Sequence, residues 1–149
     1  MRSHPFLTIL VIEDNQDHVA ILRWAFERGR IPTRINLARD GDTALDYLLR
    51  RNGFEDPLIA PRPDLVFLDL DLPGVNGKEV LRIIKTDKTL HTIPVIVLSS
   101  SERDEDIAEA YELGANTFVS KTRLFDEFSF AVELIQQYWA SVAKLPPKS

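Results

Sequence analysis

The 149-residue chain has no cysteine, so a disulfide framework and a thiolate-bound metal or redox centre are both excluded. Its three histidines, His4, His18 and His91, stand far apart, without the close spacing of a helical metal pair, and read as surface or packing residues. Long apolar runs are lacking as well. The run at 6–12 stops at Glu13 and Asp14, too short to span a membrane, and no small-residue cleavage site follows it. Nor is there an excess of positive charge: a net charge of -5 offers nucleic acid no general attraction. These absences leave the expectation of a soluble, cytoplasmic protein that binds neither membrane nor nucleic acid.

Hydrophobic residues at 44% and charged residues at 28% suit a globular chain rather than a disordered one. The length suits one domain, residues 1–149, with a core at about 6–142 and a fraying tail at 143–149. Short β-branched and aromatic runs at 6–12, 64–70, 93–100 and 116–121, with a weaker one at 33–38, alternate with helical periodicity at 16–28, 42–51, 77–87, 103–113 and 124–142. Strict alternation of five strands and five helices predicts an α/β fold with a parallel, doubly wound sheet. In such sheets ligands bind outside the carboxyl ends of the strands, where strand order reverses.

Polar residues collect at those ends. The stretch LVFLDLDLPG (65–74) places Asp69 at the end of an apolar strand and Asp71 just beyond it. A carboxylate near an interior needs a cation, hydrogen bonds or solvent. Taken alone, Asp69 and Asp71 fit a solvated turn before Pro73 and Gly74, and Glu13 and Asp14 fit a helix cap. Taken together, Glu13 and Asp14 after the first strand, Asp69 after the third, Ser99 or Ser100 after the fourth and Lys121 after the fifth share one sheet edge. Three acids from two neighbouring strands form a hard oxygen pocket suited to Mg²⁺. A lysine and a hydroxyl beside them suit a phosphoryl group, which Asp69 would attack as nucleophile.

In order, VIEDN (11–15), FLDLDLPGVNG (67–77), VIVLSS (95–100) and FVSK (118–121) resemble the receiver domain of two-component response regulators. The likeness covers roughly 6–140, with Ser99 and Lys121 at 30 and 52 residues beyond Asp69. It implies a flavodoxin-like strand order 2-1-3-4-5 and phosphotransfer from a histidine kinase, with no multiple-turnover enzyme activity. It also implies that Asp69 is the phosphoacceptor. Glu13, Asp14, Asp69 and the backbone carbonyl of Asp71 would hold Mg²⁺, Ser99 and Lys121 would contact the phosphoryl group, and Ser99 and Phe118 would form the switch. Thr122 stands where the family usually has proline, and a cis bond before a non-proline residue costs about 2.5–4 kcal/mol, which favours trans there. The long segment 51–63 and the ending YWASVAKLP (138–146) resemble the single-domain regulators of phytochrome-type histidine kinases.

Two rival readings come from other classes. A haloacid-dehalogenase-type phosphohydrolase also carries D-x-D and would make Asp71 the general acid and base, but its motif continues to threonine where this chain has Pro73. A receiver-like module that only binds partners is the other. On the last helix, Leu124, Phe125, Phe128, Ala131, Val132, Ile135 and Trp139 form one apolar stripe, while Phe130, Leu134 and Tyr138 form a second row beside it. The surplus row predicts a homodimer or partner interface, unless the segment 51–63 or the tail covers it.

Overall fold

The computed structural model describes residues 7–29, 31–122 and 128–147. Five strands, β1 (Leu7–Ile12), β2 (Thr33–Ala38), β3 (Leu65–Asp69), β4 (Val95–Ser99) and β5 (Thr117–Ser120), form one parallel sheet in the order β2-β1-β3-β4-β5. Among the described residues five helices alternate with them: α1 (Gln16–Arg28), α2 (Gly41–Leu49), α3 (Gly77–Thr86), α4 (Asp104–Glu112) and α5 (Phe128–Gln137), the last continued by a π-helical turn at Tyr138–Val142. The predicted fold class and strand order are those observed. Of the predicted last helix, residues 123–127 lie outside the described residues, as do the side chains of 128–130; Leu124, Phe125, Phe128 and Phe130 are therefore not placed.

β1, β3 and β4 are apolar on both sides because both of their faces are covered. Leu10, Ile12, Val66, Leu68, Val95 and Val97 pack against α2 and α3, whose Leu45, Leu48, Val80 and Leu81 meet them. Ile9, Val11, Leu65, Phe67, Ile96 and Leu98 pack on the opposite face, against Leu22, Ala25 and Phe26 of α1 and Val132 of α5. The period of two along each strand thus separates two cores and fixes the register of the polar residues that follow. Asn15, Asp40 and Asn76 cap α1, α2 and α3 through their side chains, so each of these helices starts right after its strand-to-helix turn.

The segment 51–63 does not reach α5. It lies over α2 and β2, where the Tyr47 hydroxyl donates to the Pro61 carbonyl at 2.7 Å and Arg34 Nη2 donates to the Leu58 carbonyl at 3.1 Å. In the tail, Leu145 packs against the α1/α5 core, since its apolar side chain finds that face within reach. Neither segment covers the outer row of α5, and Leu134, Tyr138 and Val142 remain 63%, 50% and 72% exposed.

At the opposite edge of the sheet from the strand ends, Lys85 at the end of α3 donates from Nζ to the carbonyls of His91 (3.1 Å) and Ile93 (2.7 Å). Burial pulls its ammonium down to about 8, from an ordinary value of 10.5. Between those two values the unfolded chain holds a proton that the folded chain has released, so the destabilisation is full below pH 8 and is relieved as pH rises towards 10.5. Urea unfolding of the unaltered chain and of Lys85→Met at pH 8 and pH 10 should therefore show the unaltered chain gaining stability relative to the variant at the higher pH. Parallel pH profiles would contradict this.

Candidate functional site

The strand order reverses between β1 and β3, the pair from which β2 lies on one side and β4 and β5 on the other. At their carboxyl ends Glu13, Asp14 and Asp69 come together, with a carboxylate oxygen of each lying within 4.8 Å of the others. Glu13 and Asp69 are both 1% exposed, whereas Asp14 faces solvent. Lys121, just past β5, reaches across the end of β4 to place Nζ 3.0 Å from Asp69 Oδ1 and 3.3 Å from Glu13 Oε1. No described peptide bond is cis, so Lys121–Thr122 is trans, and the lysine still reaches the acids without a proline after it.

These charges set one another. Burial first, then the hydrogen bond and charge of Asp69, push the Glu13 carboxyl up to about 7. For Lys121, burial works against the ammonium, but the hydrogen bond and charge of Asp69, with Glu13 behind, outweigh it and hold the group above the usual lysine range. Glu13 Oε1 is buried without a hydrogen-bond partner despite the approach of Lys121. Two carboxylates buried side by side, one with an oxygen unsatisfied, plus a solvent-facing third, are a donor set that fits a hard divalent cation.

Backbone geometry holds Asp69 in place. Its Oδ1 accepts the Asp71 amide at 2.9 Å, and Gly77 of α3 sits so close that a Cβ there would lie 2.4 Å from Leu70 Cα and 2.6 Å from the Asp69 carbonyl oxygen. Ser99 is buried at the end of β4, and its Oγ accepts the Ser101 amide at 3.1 Å. Ser100 faces solvent and donates to Asp71 Oδ2 at 3.2 Å, so the two serines left open by the strand-end reading occupy different environments. Phe118 is half-buried against the α2/α3 core, and its amide donates to the Tyr111 hydroxyl of α4 at 3.2 Å.

In the sequence His18 reads as a surface or packing residue. Its Nδ1 lies 3.4 Å from Glu13 Oε1 because the first turn of α1 folds back over the end of β1. Burial and then the Lys121 charge lower its pKa. The signal available in the sequence was only its place three residues after the Asn15 cap. Asn15 also donates its amide to Glu13 Oε2 at 3.2 Å.

The family model for the response regulator receiver domain matches residues 9–133. A probable methanogenesis regulatory protein, FilR2 of Methanothrix harundinacea, is 41% identical over 142 residues, covering 95% of this chain and 88% of that one. Response regulator Rcp1 of Synechocystis is 33% identical over 97% of this chain and 96% of its own length, and its Mn²⁺-bound crystal structure superposes with a TM-score of 0.86 over 95% of this chain and 99% of that one. The phosphorylated cyanobacterial phytochrome response regulator RcpA is 36% identical, with a TM-score of 0.88 over 95% and 99% of the two chains. An acidic cluster at a receiver-type switch point, in a chain matched along most of its length, leads to one conclusion: this chain belongs to the response regulator receiver domain family, the phosphoacceptors of two-component systems.

Proposed function

We propose that Asp69 is the residue that accepts the phosphoryl group, from a histidine kinase of phytochrome type, in a Mg²⁺-dependent transfer. The observation that carries this reading is the buried Asp69 carboxylate, 3.0 Å from Lys121 Nζ and clustered with Glu13 and Asp14. In the transfer an Asp69 oxygen attacks phosphorus in line. A P–O bond forms as the P–N bond to the kinase histidine breaks, and the imidazole leaves with the bonding pair and takes up a proton. Glu13, Asp14, Asp69 and the Asp71 backbone carbonyl would hold the cation, which when bound supplies positive charge against the phosphoryl oxygens. The hard oxygen donors favour Mg²⁺, and the Mn²⁺-bound form of Rcp1 supports a divalent site in this family.

Lys121, already paired with Asp69, is placed to follow the charge onto the phosphoryl oxygens. Ser99 accepts from the Ser101 amide and so keeps its own hydroxyl proton for donation to a phosphoryl oxygen. Drawing that loop inward would let Phe118 turn towards the space vacated, a local charge event converted to a packing change. The phytochrome-type kinase is supported by the likeness to RcpA, and a cytoplasmic location goes with it; among the described residues no helix is long and apolar enough to cross a membrane. Incubating the full chain with Mg²⁺ and a small acyl phosphate, then measuring intact mass, should show one added phosphoryl group, and none after chelation. No uptake with Mg²⁺ present would overturn the reading.

Output in this reading passes through protein contacts, with a homodimer formed by the last helix. Leu134, Tyr138 and Val142, spaced by four along α5 and its π-turn, leave an apolar row in solvent that a two-fold axis would bury against its own copy. Leu134→Glu with Tyr138→Glu should yield a folded monomer that still accepts phosphate. An unaltered chain that sediments as a monomer at high concentration, with and without phosphate, would rule out self-association.

A further inference from the structure

A buried hydroxyl without a partner stands beside Ser99. Among the described residues, Ser120 Oγ, on the last residue of β5, is shut off from solvent and makes no hydrogen bond. Buried polar groups are nearly always paired, because a hydroxyl stripped of water and left alone costs free energy. Val97 and Phe118, which share its side of the two strands, are apolar and offer it nothing.

The register of the sheet brings a polar group next to it. β4 and β5 pair in parallel with Ser99 opposite Ser120. Val95 and Val97 of β4 and Phe118 of β5 belong to the α2/α3 core, whereas Ile96, Leu98 and Val119 belong to the opposite one. The period of two therefore sends the Ser99 and Ser120 side chains to the same side of the sheet, on adjacent strands about 4.8 Å apart. Two serine hydroxyls at that spacing meet once their χ1 angles turn them towards each other. Here they do not meet, because Ser99 Oγ takes the Ser101 amide instead, at 3.1 Å. Ser101 is in turn tied to α4: its Oγ accepts the Arg103 amide at 3.2 Å and donates to Asp106 Oδ2.

We infer that Ser120 is a positioning residue for phosphotransfer: when Ser99 turns to donate its proton to a phosphoryl oxygen on Asp69, the Ser120 hydroxyl donates to Ser99 Oγ in place of the Ser101 amide. This rests on the reading of Asp69 and Ser99 given above. A serine hydroxyl has one proton to give and two lone pairs to accept with, so Ser99 can serve the phosphoryl group and Ser120 at once. The chain from Ser120 O–H through Ser99 O–H to the phosphoryl oxygen polarises the middle hydroxyl and makes it the better donor. Release of the Ser101 amide frees the loop after β4 to move with its α4 anchor. The hydroxyl that is orphaned before phosphorylation is paired after it, and that difference favours the phosphorylated state. Ser120 acts through Ser99 and never touches the reacting atoms.

The test times phosphate uptake from a small acyl phosphate with Mg²⁺, by intact mass, in the full chain and in Ser120→Ala, Ser120→Thr, Ser99→Ala and the double variant. Loss of one hydrogen bond should slow Ser120→Ala roughly three- to tenfold, and Ser120→Thr, which keeps the hydroxyl, should stay within about twofold of the unaltered chain. In the Ser99→Ala background Asp69 still supports slow uptake, and there Ser120→Ala should change the rate by less than about twofold, because its partner is gone. The thermal midpoint of unphosphorylated Ser120→Ala should equal or exceed that of the unaltered chain, since a hydroxyl that bonds nothing has been removed. An unchanged rate in Ser120→Ala, a Ser120→Thr rate as low as that of Ser120→Ala, the same loss with and without Ser99, or a lowered midpoint would overturn the proposal while leaving Asp69 as acceptor. Absence of uptake by the unaltered chain would instead overturn the Asp69 reading, and this one with it.

Discussion

Asp69→Asn should abolish phosphate uptake and leave the fold standing. Asparagine keeps the shape of the side chain, and its Oδ1 can still accept the Asp71 amide that Asp69 holds at 2.9 Å. What disappears is the anionic nucleophile. Lys121 loses one partner but retains Glu13 at 3.3 Å, while Glu13 is relieved of a buried like charge beside it. The thermal midpoint without metal should therefore stay close to that of the unaltered chain. Added Mg²⁺ should separate the two: a ligand at a hundred times its Kd stabilises a folded protein by about 2.7 kcal/mol, and the variant, short of one carboxylate in the cluster, should lose most of that gain. Phosphate uptake at the normal rate in the variant would remove Asp69 from its proposed role.

Gly77→Ala is expected to be among the most damaging single changes that add only a methyl group. Its Cβ would meet Leu70 Cα at 2.4 Å, the Asp69 carbonyl oxygen at 2.6 Å and the Leu70 carbonyl carbon at 2.9 Å, all backbone atoms that cannot swing aside. Helix α3 would have to withdraw from the end of β3, or the turn holding Asp69 would have to shift. Either route disturbs close-packed structure, with an expected loss of about 2 kcal/mol or more in urea unfolding. Because a displacement of about 1 Å at a reacting group can cost about a hundredfold in rate, phosphorylation should slow by at least about tenfold. Gly53→Ala is the control. There the positive φ of 101° strains alanine but no atom lies within 4 Å of a Cβ, so a cost of about 1 kcal/mol with unaltered phosphorylation is expected. Equal effects on phosphorylation at the two glycines would show that close packing at Gly77 does not position the site.

The strand ends were legible because each short apolar run stops at a polar residue: Glu13, Asp69, Ser99 and Lys121 mark where four of the five strands finish. Parallel alternation then puts those residues on one edge with no further information. Distances between them follow from neighbouring order, which the resemblance supplied and the sheet displays. His18 was hidden because its approach to Glu13 depends on how α1 turns back over β1, a tertiary relation with no periodic trace. Gly77 stands where the helical periodicity of 77–87 begins, and nothing local marks its contact with the Asp69 backbone. The length of 51–63 was visible, but its place over α2 and β2 rests on Tyr47 and Arg34, residues far apart in sequence from the carbonyls they hold. Leu145 in the tail was equally silent, since a single leucine followed by two prolines carries no pattern.

The central claim is that one side chain, Asp69, takes the phosphoryl group. An aspartyl phosphate is an acyl phosphate, and borohydride reduces it to the alcohol, leaving homoserine at the modified position. The full chain should be treated with Mg²⁺ and a small acyl phosphate, reduced, digested and sequenced by tandem mass spectrometry. The account predicts homoserine at position 69 and nowhere else, absent when Mg²⁺ is chelated. Homoserine at 14 or 71, phosphate retained on a serine such as Ser99, or an unmodified peptide spanning 65–74 would contradict it.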